Sequence, residues 1–361
     1  MVKSSQYLRK MNFKNYRNKK VLIIGHSGFK GSWLANWLIE LKAKVYGISK
    51  KSINRSKTYV STKINKRIFK EYDFDIRDLK KLKKTINQIK PDYIFFLAAQ
   101  SLVGKSYKDP VTTWQINFVG ALNILDTVKN INFKTNLVLI TSDKCYENIG
   151  KKSGYKETDV LGGSDPYSAS KASVEILYNS YFRSFLKKRR NIKSVTTRAG
   201  NVIGGGDMSG DRLIPDCIRA WSKKKILKVR NPDSTRPWQH VLEPLNGYLK
   251  LGLYLNDGKH NGKSFNFGPS VKNSKPVKDI MKECSKYLNN FKYTMSSSNF
   301  FHEHRLLQLN CDEAKKKLKW KPKLNFKKTI SFTIDWYVNF YKKKDMFKFT
   351  KKQINEFMKI I

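Results

Sequence analysis

Acidic residues are scarce in this chain: 28 Asp and Glu stand against 73 Lys and Arg among 361 residues, a formal net charge of +45. Cysteine is sparse too. The four, Cys145, Cys217, Cys284 and Cys311, lie far apart with no CxxC pair, which excludes a disulfide framework and a zinc ribbon and leaves free thiols as the expectation. Long hydrophobic runs are missing. The apolar stretches at 21–24, 93–99 and 137–140 fall far short of the roughly 20 residues that cross a bilayer. The basic stretch ending at Lys20 resembles the start of a secretory leader, but no small-residue cleavage site follows it. A cytoplasmic protein without a membrane span is therefore expected. Internal repeats and low-complexity linkers are also lacking.

What is present belongs to a folded globular chain: 40% hydrophobic and 13% aromatic residues over a length that buries a core without staples. A large positive surplus attracts phosphates and anionic surfaces. Its distribution argues against a specific nucleic-acid site, because the lysines are spread over nearly every segment. In the densest region, 313–352, they are interleaved with the Trp, Phe and Leu of amphipathic helices. Solvated helix faces, with some steering of an anionic small substrate, account for the pattern.

Short apolar runs alternate with helical periodicity. Strands are expected at 20–25, 44–48, 72–76, 93–99, 136–141 and 194–197, and helices at 29–41, 112–129 and 165–186. This alternation predicts an α/β, Rossmann-like, doubly wound parallel sheet covered on both faces. Beyond Gly204 it breaks into a helix at 213–224, a short strand at 226–230 and mixed segments. A dinucleotide-binding domain over 19–200, a smaller mixed α/β substrate lobe over 201–361 and a basic extension over 1–18 follow, with a boundary that can interleave. Ligand is expected between the lobes.

Gly25, Gly28 and Gly31 form GxxGxxG directly after the first strand and at the start of the first helix, with Phe29 and Lys30 inside the motif. A chain that turns tightly there can approach a pyrophosphate and aim helix amides at it. Tyr167 and Lys171 form YxxxK, and on a helix this spacing puts both on one face. The ammonium beside the phenol would favour the phenolate. Ser142, Asp143 and Lys144 stand where a strand ends, the place where catalytic groups collect in open α/β sheets. Adjacent acid and base beside Tyr167 would allow elimination of water in addition to hydride transfer. After the second strand stand Ser49, Lys50 and Lys51 with Arg55 nearby, where a dinucleotide site usually carries an acid. By charge alone these favour NADP.

The glycine spacing and YxxxK resemble the extended short-chain dehydrogenase/reductase superfamily. Within it, the segments at 25–33, 141–147, 161–167, 198–207 and 236–245 resemble the CDP-glucose 4,6-dehydratases, and the likeness runs from about residue 19 to the C-terminus. Related nucleotide-sugar dehydratases carry glutamate where this chain has Lys144. Ile24 in place of a threonine, and the first eighteen residues, depart from the pattern. The resemblance implies NAD rather than NADP. It assigns adenine contact to Asp75 and Ile76 and a nucleotide loop to Leu97, Ala98 and Ala99.

It further implies an internal redox cycle. Tyr167, lowered in pKa by Lys171 and the nicotinamide, takes the 4-hydroxyl proton as hydride leaves C4, while Ser142 bonds that oxygen. Asp143 protonates the departing 6-hydroxyl. Lys144 removes the C5 proton, which requires a neutral lysine, or else stabilises an enolate as its ammonium. Hydride then returns to C6. The substrate-binding candidates are Gln100, Asn201, Arg212, Arg236 and His240. The two arginines are suited to a diphosphate by their forked guanidinium groups, and His240 has a structural role as its alternative. His302 and His304 flanking Glu303 are not expected to hold a metal, and Asn117 is expected to stabilise its helix. A homodimer paired through the Tyr167 helix, or a dimer of dimers, is also implied. Two other readings stay open: an epimerase or reductase on another nucleotide sugar, and a non-catalytic Rossmann-like polyanion-binding protein.

Overall fold

The computed structural model describes residues 13–51, 55–229, 231–270, 273–296 and 307–361. The first twelve residues of the expected basic extension, and His302, Glu303 and His304, lie outside the described residues.

A seven-stranded parallel sheet forms the centre. In chain order its strands are β1 (Lys20–Ile24), β2 (Lys44–Ile48), β3 (Lys70–Tyr72), β4 (Tyr93–Phe96), β5 (Thr135–Ile140) and β6 (Ile192–Arg198), followed by an edge strand, Ser264–Asn266. In space the order is edge strand, β6, β5, β4, β1, β2, β3, so the chain reverses direction across the sheet between β1 and β4. Alternating side chains serve two cores. Val21, Ile23, Phe95 and Val138 pack with Trp33, Trp37, Leu245 and Tyr248, while Leu22, Ile24, Ile94, Phe96, Leu137 and Leu139 pack with Ile86, Ile124 and Leu125. Strands apolar on both faces can only be interior strands covered by helices.

The third strand differs from expectation. Pairing ends at Tyr72 because Asp75 accepts the Arg77 amide at 3.0 Å and turns the chain, and Asp78 then caps the helix Leu79–Ile89. Phe74 and Ile76 are nonetheless buried, so the alternation read from the sequence reports burial beyond the last paired residue. The helix expected at 112–129 is a continuous rod, Pro110–Trp114, a wider π-type turn over Gln115–Val119, and Gly120–Lys129. The Tyr167 helix, Pro166–Tyr181, begins on an Asp165 cap and runs into a second π-type turn, Phe182–Leu186.

Part of the chain past 204 returns to the sheet. The edge strand pairs with β6, and the helix Leu242–Tyr254 packs its Tyr248 against the core. The C-terminal helix, Met346–Met358, closes on the first helix, Phe29–Glu40, through Phe357 against Trp37 and Lys351 against Glu40 at 2.9 Å. The short strand in the second half covers Leu227–Val229 and pairs with Tyr293–Met295; Arg230, expected at its end, is outside the described residues. All four cysteines are free and buried. No described helix is long and apolar enough to cross a membrane.

Trp33 is fully buried and donates its indole N–H to the Gly205 carbonyl at 2.8 Å, tying the first helix to the second half of the chain. Thr58 Oγ1 donates to the same carbonyl at 2.8 Å, so Trp33→Phe removes one of its two hydrogen bonds, and the expected loss is about 0.5–1.5 kcal/mol of unfolding free energy. A denaturation midpoint unchanged from the parent would refute this tie.

Candidate active site

The crevice at the carboxyl ends of β1 and β4, where the strand order reverses, is where an open α/β sheet takes a ligand. Gly25 follows β1 with φ +93, and a Cβ there would stand 2.7 Å from the Ala98 nitrogen; at Gly31 it would stand 2.1 Å from the Gly25 carbonyl oxygen. The first helix therefore starts pressed against the loop, and its N-cap, Gly28, carries no side-chain cap. That leaves a cradle of backbone amides of the kind a pyrophosphate occupies. A dinucleotide fits this cradle on local geometry. Phe29 packs toward Gly204, and Leu97, Ala98 and Ala99 continue from β4 beside it.

The charges after β2 are matched from the segment just past β3. Lys50 reaches Asp75 at 3.6 Å and Lys51 reaches Asp73 at 3.8 Å. Asp75 is also gripped by Arg77 at 2.7 Å, which holds its carboxyl below the usual range, while Ile76 is a core residue against Gly120. Inside the loop His26, fully buried, meets the Ser49 hydroxyl at 3.0 Å and the Glu71 carboxylate at 3.2 Å. Tyr59 donates to the same carboxylate at 2.8 Å, and Glu71 is held low, first by its bond with His26. The sequence reading missed this cluster, since Glu71 sits on a strand with no motif around it.

At the end of β5 the chain makes a tight turn over Asp143–Cys145. Ser142 donates its hydroxyl to Asp143 Oδ1 at 2.8 Å and accepts the Lys144 amide at 3.2 Å. Both Ser142 and Asp143 are buried, and Lys144 is half-buried. Gly200, just past β6, is required here because a Cβ would lie 1.6 Å from Asp143 Oδ2. Asn201, in the left-handed region at φ +50, donates to that oxygen at 3.5 Å.

Tyr167 and Lys171 face this turn. Burial pushes the Tyr167 phenol up to about 12, against the pull of a hydrogen bond with Ser142 and the charge of Arg212. Burial is the largest influence on the phenol here; the expected lowering involves Lys171 together with the nicotinamide. Lys171 is itself pushed down to about 8, first by burial and then by Lys30, and Lys30 is likewise pushed to about 8, first by burial. Lys30 feels Asp143 and Arg212, so the glycine-loop lysine belongs to the same electrostatic cluster as the β5 turn.

The other candidates separate. Arg212 is tied to Asp207 at 2.7 Å with a third of its side chain exposed. Arg236 sits on the strand Thr235–Pro237 and donates to the Thr235 carbonyl. Gln100 spends its amide on Leu102 and Thr113 while Asn117 bonds its backbone and Ser170, which knits the rod to the Tyr167 helix. His240 is fully buried, edge-on to both Trp33 and Phe332, and burial pushes it down to about 3.

A family profile described as GDP-mannose 4,6 dehydratase matches residues 22–333. A CDP-glucose 4,6-dehydratase of Salmonella typhimurium is 36% identical over 349 residues, which span 95% of this chain and 97% of that protein. A UDP-glucose 4-epimerase of Mycoplasma genitalium is 26% identical over 89% of this chain and 97% of its own length. Among solved structures, a dTDP-glucose 4,6-dehydratase from Bacillus anthracis in complex with NAD aligns with TM-score 0.74 at 19% identity, over 91% of this chain and 99% of that one. A UDP-glucose 4-epimerase from Stenotrophomonas maltophila with bound NAD aligns at TM-score 0.79 and 18% identity, over 90% and 99%. Those two share the fold.

Two lysines of this site should titrate near pH 8, charged below and neutral above. Lysine ε-carbon NMR reads this directly, and Lys30→Met should move the Lys171 midpoint upward. A spectrum in which every lysine titrates near the ordinary 10.4 would overturn the cluster.

Proposed function

The chain belongs to the GDP-mannose 4,6 dehydratase family and is a nucleotide-sugar 4,6-dehydratase, a hydro-lyase; within that class we propose that its substrate is CDP-glucose and its product CDP-4-keto-6-deoxyglucose. The observation that carries the reading is the buried Ser142–Asp143 pair beside Tyr167 and Lys171, with Lys144 on the same turn. A hydride-transfer site needs a hydroxyl, a tyrosine and a lysine; an added carboxyl supplies the proton that a leaving hydroxyl requires. Lys144 lies in one of the segments that resemble the CDP-glucose 4,6-dehydratases.

NAD, held by Gly25, Gly28, Phe29, Lys30 and Gly31 with Leu97 to Ala99 beside it, would supply a hydride acceptor and donor regenerated in each turnover. Salt links from Asp73 and Asp75 to Lys51 and Lys50 offset the cationic character that had favoured NADP. Tyr167 takes the proton of the 4-hydroxyl, Lys171 supports the phenolate by its charge, and Ser142 bonds the same oxygen. The 4-ketone acidifies C5, from which Lys144 removes a proton. Asp143 gives a proton to the departing 6-hydroxyl, and water leaves. Arg212 and Arg236 pair the diphosphate, with Asn201 and Gln100 lining the sugar side. His240, enclosed by aromatic rings, takes the structural role.

The reading places the protein in the cytoplasm, on the deoxysugar branch of surface-polysaccharide synthesis. It pairs two copies through the Tyr167 helix, where Ile176 and, on the turn that follows, Phe185 expose apolar surface, as do Tyr107, Val111 and Trp114 on helices packed against it. Epimerisation, the activity in the name of the Mycoplasma relative, would leave Asp143 and Lys144 without a task.

Incubation with CDP-glucose, with no addition, NAD or NADP, should yield a sugar nucleotide lighter by one water, with no net NADH and no reaction of UDP-, GDP- or dTDP-glucose. Asp143→Asn should slow turnover by about 10²–10⁴-fold, the usual worth of a general acid. Lys144→Ala should stop elimination after C4 oxidation, so full dehydration by that variant would remove the base assignment.

A further inference from the structure

Beneath the reactive turn lies a buried charge pair to which none of the steps above assigns a task. Glu175 stands one helical turn past Lys171 and two past Tyr167 on the same helix face. It is fully buried, and its carboxylate accepts hydrogen bonds from Thr141 Oγ1 at 2.5 Å, Thr196 Oγ1 at 2.8 Å, Arg198 at 2.9 Å and Ser264 Oγ at 3.3 Å. Arg198, 2% exposed, also donates to the Tyr146 hydroxyl at 2.6 Å and the Glu157 carbonyl at 3.1 Å. Tyr146 in turn donates to Asn266 at 2.8 Å.

These partners bracket the site. Thr141 immediately precedes Ser142, Tyr146 closes the turn that carries Asp143 and Lys144, and Arg198 lies two residues before Gly200, the residue pressed on Asp143. Apolar residues of similar volume commonly match a buried ion pair in stability, so stability alone does not explain this one. The geometry points to Glu175 as a positioning residue for the dehydration, locking the Ser142–Lys144 turn against the Tyr167 helix. The inference rests on the dehydratase reading of the same site.

The groups that bear on Lys171 are Lys30 from the first helix, Cys145 from the turn and Glu175 from its own helix. Arg198 faces Glu175, Cys145 and Tyr146 and is also felt by Glu157, while Asp143, Asp165 and Arg212 face Tyr167. Cys145 is held neutral by burial. Among the described residues Glu175 is thus the carboxylate that favours the ammonium of Lys171, and removing it leaves Lys30 unopposed there and the Arg198 charge without its partner.

The test compares Glu175→Gln, the doubly neutral Glu175→Gln/Arg198→Met and Thr141→Val, reading kcat and KM with CDP-glucose against pH and the lysine ε-carbon titration without substrate. In Glu175→Gln kcat should fall about 10²-fold with KM little changed, the cost of misplacing a reacting group by about 1 Å. Its alkaline limb and the Lys171 midpoint should move to lower pH by about one unit. The double variant should regain the limb, because its charge balance is restored, while kcat stays low. Thr141→Val, which keeps both charges, should lower kcat and leave the limb in place. A parental limb and Lys171 midpoint in Glu175→Gln, or a kcat loss that only tracks the folded fraction, overturns the inference. If Glu175→Gln does not fold, an unchanged kcat in Thr141→Val does so instead. Should the parent prove inert toward CDP-glucose, the substrate reading fails while the lysine titration still decides whether Glu175 sets the charge of Lys171.

Discussion

A strand buried on both faces can present polar chemistry only where it ends. β1, β4 and β5 are apolar almost throughout, with helices against both sides. The candidate groups carried by the strands therefore collect on the carboxyl rim: the glycine loop after β1, the small-residue run after β4, the Ser142–Lys144 turn after β5, and Gly200 with Asn201 after β6. The parallel arrangement puts these four ends on one side, and the reversal of strand order between β1 and β4 opens the space between them. The helix carrying Tyr167 and Lys171 completes the rim because Asp165 caps it there and Glu175 anchors its next turns to β5 and β6.

Electrostatics in this crevice follow from burial more than from charge number. Asp143 and Arg212 act on Lys30, Lys30 acts on Lys171, and desolvation lowers both lysines to near 8. A site so arranged welcomes an anionic ligand, which relieves the cationic crowding. The much larger surface surplus of lysine is another matter. Exposed pairs such as Lys278 with Asp233 contribute little to stability, and the surplus acts at long range on solubility and encounter.

Much of the architecture was legible because its determinants are local. Strand alternation, GxxGxxG after a buried strand and the i, i+4 spacing of Tyr167 and Lys171 each depend on a few neighbouring residues. The third strand was misplaced because Phe74 and Ile76 keep the apolar alternation after Asp75 has ended the pairing. The depth of the pocket, which a linear motif does not encode, pushes the Tyr167 phenol up, so the lowering expected from Lys171 and the nicotinamide works against burial. Glu175 was visible as an acid four residues past Lys171, but its meaning depends on Arg198 arriving from β6 and Thr141 from β5.

The sequence by itself determined the alternating parallel sheet, the phosphate-type loop, the tyrosine–lysine pair and the acid–lysine turn. Each is written in spacings shorter than two helical turns or in one strand end. Only the tertiary structure decided that Asp73 and Asp75 counter Lys51 and Lys50, that His240 is enclosed by Trp33 and Phe332, that part of the chain past 204 rejoins the sheet, and that Glu175 binds the rim together. The physical reason is common to all four. Pairing between residues tens of positions apart is set by which surfaces the fold removes from water, and that is a property of the packed molecule.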